Sequence, residues 1–126
     1  MKNLLIALIF ALPMLAFTGY ETEISTAIGK GDIETLSKYF DETVEICILD
    51  LEDLLEKDEA KTAIGSFFDT NKPKSFQVLH NGTSKGQDSR YFIGDLKAGE
   101  SIYRVYVYLK NSSDSYLIQE IRFEPK

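Results

Sequence analysis

The sequence predicts an α+β domain in which three N-terminal helices pack on a curved antiparallel sheet, cone-like, in the order ααβαββββ. Three observations predict it. Residues 21–60 carry thirteen acids and three bases, whereas residues 61–126 carry seven acids and ten bases. Hydrophobic periodicity changes at the same point, from helical spacing to alternation. The alternating segments after Ser75 are joined by short turn signals, which only antiparallel neighbours allow, because parallel crossovers need a dozen or more residues.

The elements follow in order. Ile24, Ala27 and Ile28 recur at helical spacing, and Gly29 and Gly31 stop or bend that helix. Asp32 caps a second helix with Ile33, Leu36, Tyr39 and Phe40 on one face. Val44 to Ile48 alternates as a short strand. A third helix is predicted from about Glu52 to Asp69, with Leu54, Leu55, Ala60, Ala63, Ile64, Phe67 and Phe68 as its apolar residues, ending at Asn71-Lys72-Pro73. Phe76–His80 reads as a strand stopping at the turn signal Asn81-Gly82, and Gln87–Ile93 as one breaking at Gly94-Asp95. Ile102–Leu109 is dense in β-branched and aromatic residues, the composition of a central strand. Asn111–Asp114 turns the chain, and Tyr116–Phe123 returns.

Length and composition narrow the function classes. The 126 residues make one domain, with 44% apolar and 27% charged residues. A net charge of -6 argues against nucleic acid as a partner. One Cys and one His exclude an internal disulfide framework, a Cys-rich zinc site and any His-pair metal motif. No Gly-rich phosphate loop or nucleophile elbow occurs, and no cofactor or metal is expected. The acidic run Asp50, Glu52, Asp53, Glu56, Asp58 and Glu59 lacks the spaced loop with a central Gly of a calcium site and reads as a solvated helix start.

Residues 1–19 read as a signal peptide, leaving 20–126 as the domain. Lys2 precedes a fourteen-residue apolar run, Leu4–Phe17, which carries Pro13 and falls short of the ~20 residues of a spanning helix. The chain is therefore expected in the periplasm or secreted, with no membrane span after cleavage. In an oxidising compartment Cys47 is predicted to be buried as a small hydrophobe, with a nucleophile paired with His80 and a disulfide between chains as the alternatives.

This order of elements resembles the nuclear transport factor 2-like superfamily, the cone-shaped α+β fold. Phe76–Gly82, Arg90–Gly94, Tyr103–Val107 and Leu117–Phe123 resemble an exported family of that fold found mainly in Bacteroidetes-type bacteria. The family has no assigned function, and the resemblance implies fold and export but no activity. The fold's enzyme branch uses a carboxylate base with a hydrogen-bonding Tyr and acid pair. No spaced positions here match them, so no catalytic residue carries over. The resemblance also implies dimerisation through the sheet.

Alternation assigns the candidate site residues. Tyr103, Val105, Val107 and Leu109 form the apolar face of their strand; Leu117, Gln119, Ile121 and Phe123 share a face, as do Phe76, Val78 and His80. Looking into the cone, these faces bring in His80, Gln119, Tyr103, and Ser89 or Tyr91, a few polar groups among apolar walls, as a small-ligand pocket needs. His80, the one imidazole of the chain, is the candidate for acid–base work. The opposite face carries Arg90, Arg104, Tyr106, Tyr108, Glu120 and Arg122, a cross-strand ladder or an interface. The expected function is a non-catalytic domain binding a small apolar ligand or a protein partner. The alternatives are a small isomerase or dehydratase using His80, and an assembly module using the Arg/Tyr face.

Overall fold

The computed structural model describes residues 19–83 and 88–126. The predicted signal segment up to residue 18, and residues 84–87, lie outside the described residues. Helix α1 (Gly19–Lys30) buries Ile24, Ala27 and Ile28. It ends where Gly31, at φ 70°, lets Asp32 N–H reach Ala27 O at 2.8 Å and its own N–H reach Ile28 O at 3.2 Å. This paired closure needs a left-handed residue, and a Cβ on Gly31 would also stand 2.9 Å from Pro73 Cδ. Asp32 caps α2 (Ile33–Ser37) by accepting from Thr35 N–H at 3.1 Å. That bond holds the Asp32 carboxyl below its ordinary pKa. Tyr39 and Phe40, expected on this helix, lie beyond its end, and Phe40 opens a strand.

Strand β1 (Phe40–Ile48) starts earlier than predicted and is followed by β2 (Leu51–Glu56), where a helix was expected. Leu51, Leu54 and Leu55 have the spacing of a helical stripe, yet Leu51 and Leu54 are 51% and 64% exposed. The segment is extended because β1 pairs with it, from Thr43 opposite Glu56 to Ile48 opposite Leu51, across a turn with Leu49 left-handed at φ 58°. Tertiary pairing outweighs local propensity here. Helix α3 (Lys57–Thr70) begins only after Glu56, whose N–H donates to Glu59 Oε1 at 3.3 Å. It buries Ala60, Ile64, Phe67 and Phe68.

Strands β3 (Pro73–Thr83), β4 (Ser89–Ala98), β5 (Ser101–Ser112) and β6 (Ser115–Pro125) follow. Asn81-Gly82 does not turn the chain, and Gly94-Asp95 does not break it; both pairs sit inside strands. Gly82 is required there because the Tyr91 ring lies over it, 2.8 Å from where a Cβ would be. The six strands run in the order β2-β1-β6-β5-β4-β3. The predicted four-strand antiparallel run β3–β6 is present, but β1 pairs parallel to β6, so the sheet is mixed.

Two bulges decide which side chains face inward. In β6, Tyr108 pairs with Glu120 and Leu109 with Ile118, so Gln119 is an extra residue. In β3, Val78 pairs with Gly94 and His80 with Ile93, so Leu79 is extra. Each extra residue reverses the alternation beyond it. The inner face is closed by α1 and α3 over Phe40, Phe92, Leu96, Val105, Val107, Leu109, Ile118, Ile121 and Phe123, all at most 2% exposed. Phe123 packs its ring against Phe67 at 4.9 Å and edge-on to Phe68 at 5.8 Å.

A polar tie fastens α1 to the sheet. Glu21, 1% exposed in the first turn of α1, accepts from Arg90 Nε on β4 at 3.2 Å. Arg90 pairs with Leu109 and so shares its inward side; its predicted place on the opposite face is corrected by that register.

Phe123→Ala should lower unfolding free energy by about 3–5 kcal/mol, because the ring's removal leaves a hole between two other aromatic rings. Denaturant titration checks this, and a loss under about 1 kcal/mol would mean the ring is not packed as described. Glu21→Ala should cost roughly 1–3 kcal/mol by leaving the inward Arg90 guanidinium short of an acceptor. An unchanged midpoint in the same assay would contradict the tie.

Candidate functional site

The five residues expected to line an interior pocket are not brought together. His80 is exposed and pairs with Ile93, which in turn pairs with Tyr106, so it stands on the outer face of the sheet, away from the helices. The bulge at Leu79 put it there. Gln119, lifted out of the inner row by its own bulge, donates from Nε2 to Asp41 Oδ2 at 3.0 Å. Leu117 is displaced from the inner face with it, and Ile118, expected outside, is fully buried. Tyr91 lies on the outer face, its ring 6.2 Å from that of Tyr106. Ser89 is buried at the start of β4 opposite Lys110, an outer-row position.

Tyr103 alone of the five points inward as expected, and it is committed to the core. Its hydroxyl donates to Asn71 Oδ1 at 3.0 Å, and Asn71 Nδ2 donates to Phe67 O at 3.0 Å. The Tyr103 ring meets Phe67 edge-on at 5.2 Å. The chain thus closes α3 with a side-chain relay rather than lining a cavity with a free hydroxyl.

The outer face does bring its predicted residues together, apart from Arg90. Arg104, Tyr106 and Tyr108 on β5 stand beside Glu120 and Arg122 on β6. Arg104 Nε donates to Asp95 Oδ1 at 2.9 Å and Lys126 Nζ to Asp95 Oδ2 at 2.7 Å. These two cations, Lys126 foremost, hold the Asp95 carboxyl below its ordinary pKa. The Arg122 guanidinium reaches three carboxylates: Glu124 at 3.0 Å, Glu120 at 3.2 Å and Glu52 at 3.4 Å. Its pKa is raised, chiefly by the bond to Glu124. Burial, then the neighbouring Glu120, raises that of Tyr106.

Cys47 is buried, as predicted, but outside the helix-side core. It pairs with Glu52 on one side and Arg122 on the other, and these two residues form an ion pair with each other. Its thiol donates to Leu49 O at 3.6 Å. Burial pushes its pKa up, partly offset by Arg122.

Clefts lined by described residues lie on the surface. One is bounded by Thr43, Glu45, Leu54, Tyr108, Gln119 and Glu120 on the outer face. Another, of about 410 Å³, is lined by Tyr20, Lys38, Tyr39, Tyr116 and Leu117 at the start of α1. There Tyr20 stacks on Tyr116 at 5.1 Å, and Tyr39 donates its hydroxyl to Glu23. Burial and that carboxylate push the Tyr39 phenol up to about 12. Among the described residues no group of His, Cys, Asp and Glu is placed to hold a metal, and no helix is long and apolar enough to cross a membrane.

Sequence reasoning missed Glu52, Leu54, Asp95 and Lys126 as outer-face residues. Asp95 was reachable: it follows Tyr91 and Ile93 in strict alternation. Glu52 and Leu54 carry no such signal, because β2 is extended only through its pairing with β1.

Comparison with known proteins places this architecture among relatives. Crystal structures of DUF4783 family proteins superpose well. That from Bacteroides ovatus is 31% identical, with a TM-score of 0.78 over 82% of this chain and 93% of its own. That from Bacteroides uniformis is 26% identical, with a TM-score of 0.79 over 83% and 95%. A putative dehydratase from the NTF2-like family of Streptomyces avermitilis, 12% identical with a TM-score of 0.59 over 83% and 89%, shares the fold. No curated protein matches the sequence. The family model described as Domain of unknown function (DUF4783) matches residues 21–124, and the chain belongs to that family.

Proposed function

We propose that this chain is an exported, non-catalytic binding module that engages a protein through the outer face of its sheet. The observation that carries the proposal is the division of the two faces. The inner one is filled by interlocking side chains, whereas the outer one displays Arg and Tyr with Leu54 and Ile102 exposed among them. Arg and Tyr are the residue types that dominate binding hot spots. Their planar groups bury large areas while losing few rotatable bonds. Arg104 and Arg122 are also held in place by carboxylates before any partner arrives, which lowers the ordering cost of binding. Export is supported by the apolar run Leu4–Phe17 behind Lys2. Catalysis by His80 draws no support from its placement, exposed on the outer face of the sheet and outside the linings of the two clefts described above.

A second reading, a small apolar ligand, is favoured by one feature only. The cleft of Tyr20, Tyr39, Tyr116 and Leu117 has the size and the apolar lining with few polar groups of a small-molecule site.

A photo-crosslinking residue in place of Ile102, an outer-face side chain, should give a discrete protein adduct in the native host. The same residue in place of Thr62, exposed on α3, should give none. Absence of an adduct at position 102 would overturn the proposal. A thermal-shift screen of residues 20–126 against apolar small molecules separates the two readings. No stabilisation is expected, and a saturable shift abolished by Tyr116→Ala would transfer the function to the tyrosine cleft.

A further inference from the structure

The strand registers set four outer-face side chains in one row: Leu54 on β2, Glu45 on β1, Glu120 on β6 and Tyr108 on β5. Each pairs with the next, so two carboxylates stand side by side between an aliphatic and an aromatic wall. Thr43 and Gln119 complete the lining of an outer-face cleft of about 250 Å³. Its carboxylates are short of positive charge. Glu120 accepts from Arg122 Nη1 at 3.2 Å, but Glu124 and Glu52 share that guanidinium. Arg122 stands one row away with Glu124 beyond it, so its charge does not fill the gap at Glu45. Among the described residues Glu45 takes part in no ion pair. Gln119 spends its amide nitrogen on Asp41 and keeps Oε1 as a further acceptor. The outward cations of β4 and β5, Lys97, Arg104 and Lys110, do not line the cleft.

Resting on the outer-face reading, we propose that this cleft is the socket for an arginine side chain, carried on a basic segment of the partner protein with apolar residues beside it. The guanidinium is a planar fork of N–H donors, matched to carboxylates set side by side. Glu45 and Glu120 take the fork, Gln119 Oε1 takes a further N–H, and the Tyr108 ring offers its face to the cation. Leu54 gives the arginine stem and the neighbouring apolar residues a surface to pack on.

Size and lining select this occupant over others. The cleft is smaller than the roughly 300–1,000 Å³ of a small-molecule site and suits one long side chain. A metal ion would find an aliphatic and an aromatic wall, and among the described residues no group of His, Cys, Asp and Glu is placed to hold one. An acidic segment would meet uncompensated carboxylates at Glu45 and Glu120. Charge complementarity therefore asks for a basic partner on the β1, β2 and β6 side of the face.

The test uses residues 20–126 and the fluorescence anisotropy of a labelled, end-blocked hexapeptide of alternating arginine and leucine at low salt. Saturable binding is expected. Glu45→Gln should weaken it roughly tenfold, the loss of one charge-assisted bond. Glu100→Gln removes the same charge beyond the start of β5, roughly 25 Å from Tyr108. It should leave binding within about twofold, because screening hides so distant a charge. Tyr108→Leu should weaken binding about threefold or more, whereas Tyr108→Phe, which keeps the ring face, should not. That contrast separates a socket from diffuse attraction to an acidic surface. Should Tyr108→Leu unfold, Leu54→Ser on the exposed wall takes its place, with a loss of about threefold expected. The lysine–leucine peptide should bind more weakly than the arginine one. Spermidine, of the same charge, should displace the arginine peptide only at concentrations at least on the order of tenfold higher. No saturable binding, equal losses from Glu45→Gln and Glu100→Gln, equal affinity for the lysine peptide, or displacement by spermidine at equal concentration would overturn the proposal. A protein adduct from position 102 alongside any of those results would overturn the arginine socket alone and leave the outer-face reading intact.

Discussion

The packing of Phe123 between α3 and the sheet sets the rest of the molecule. Its ring meets Phe67 and Phe68, Phe67 meets Tyr103, and Tyr103 reaches through Asn71 back to the end of α3. Interiors packed to this degree hold few voids larger than a water molecule. Among the described residues the inside of the cone is lined by apolar side chains buried against one another, and His80, Gln119 and Tyr91 stand outside that row.

The displacement has a local cause at two residues. Gln119 and Leu79 each add one residue to a strand, and each addition moves a polar group out of the inner row. Without them Gln119 and His80 would stand in the inner row opposite Leu109 and Phe92, where an amide and an imidazole would each need a buried partner. With them Ile118 takes the inner position, Gln119 finds Asp41, and His80 faces water. The same bulges that bend the sheet around the helices keep its lining apolar.

Much of the fold was legible in the sequence, and the exceptions are particular. On β5, four inward and four outward residues follow the alternation of Ile102–Leu109 without error, because no extra residue interrupts that strand and local alternation agrees with its pairing to both neighbours. Helix α1 and the Asp32 cap were legible for the same reason, local chemistry agreeing with tertiary packing. Bulges leave no mark in composition, so the face of His80 and Gln119 was lost. Strand β2 was lost because its leucines mimic a helical stripe and only β1 draws it out straight. Arg104, Tyr106, Tyr108, Glu120 and Arg122 of the outer face were legible; Glu52 and Leu54, which join it only through the pairing of β2 with β1, were not. Arg90 was misplaced although strict alternation with Phe92 and Leu96 puts it inward, where Glu21 holds it.

The central claim is that helices and sheet close on each other without a void, and the volume change of unfolding under hydrostatic pressure measures this directly. That volume change scales with the internal space lost when the chain unfolds. The account predicts a small magnitude, roughly 20–40 mL/mol, at the low end of the usual range. A value of about 100 mL/mol would reveal an interior cavity and contradict it.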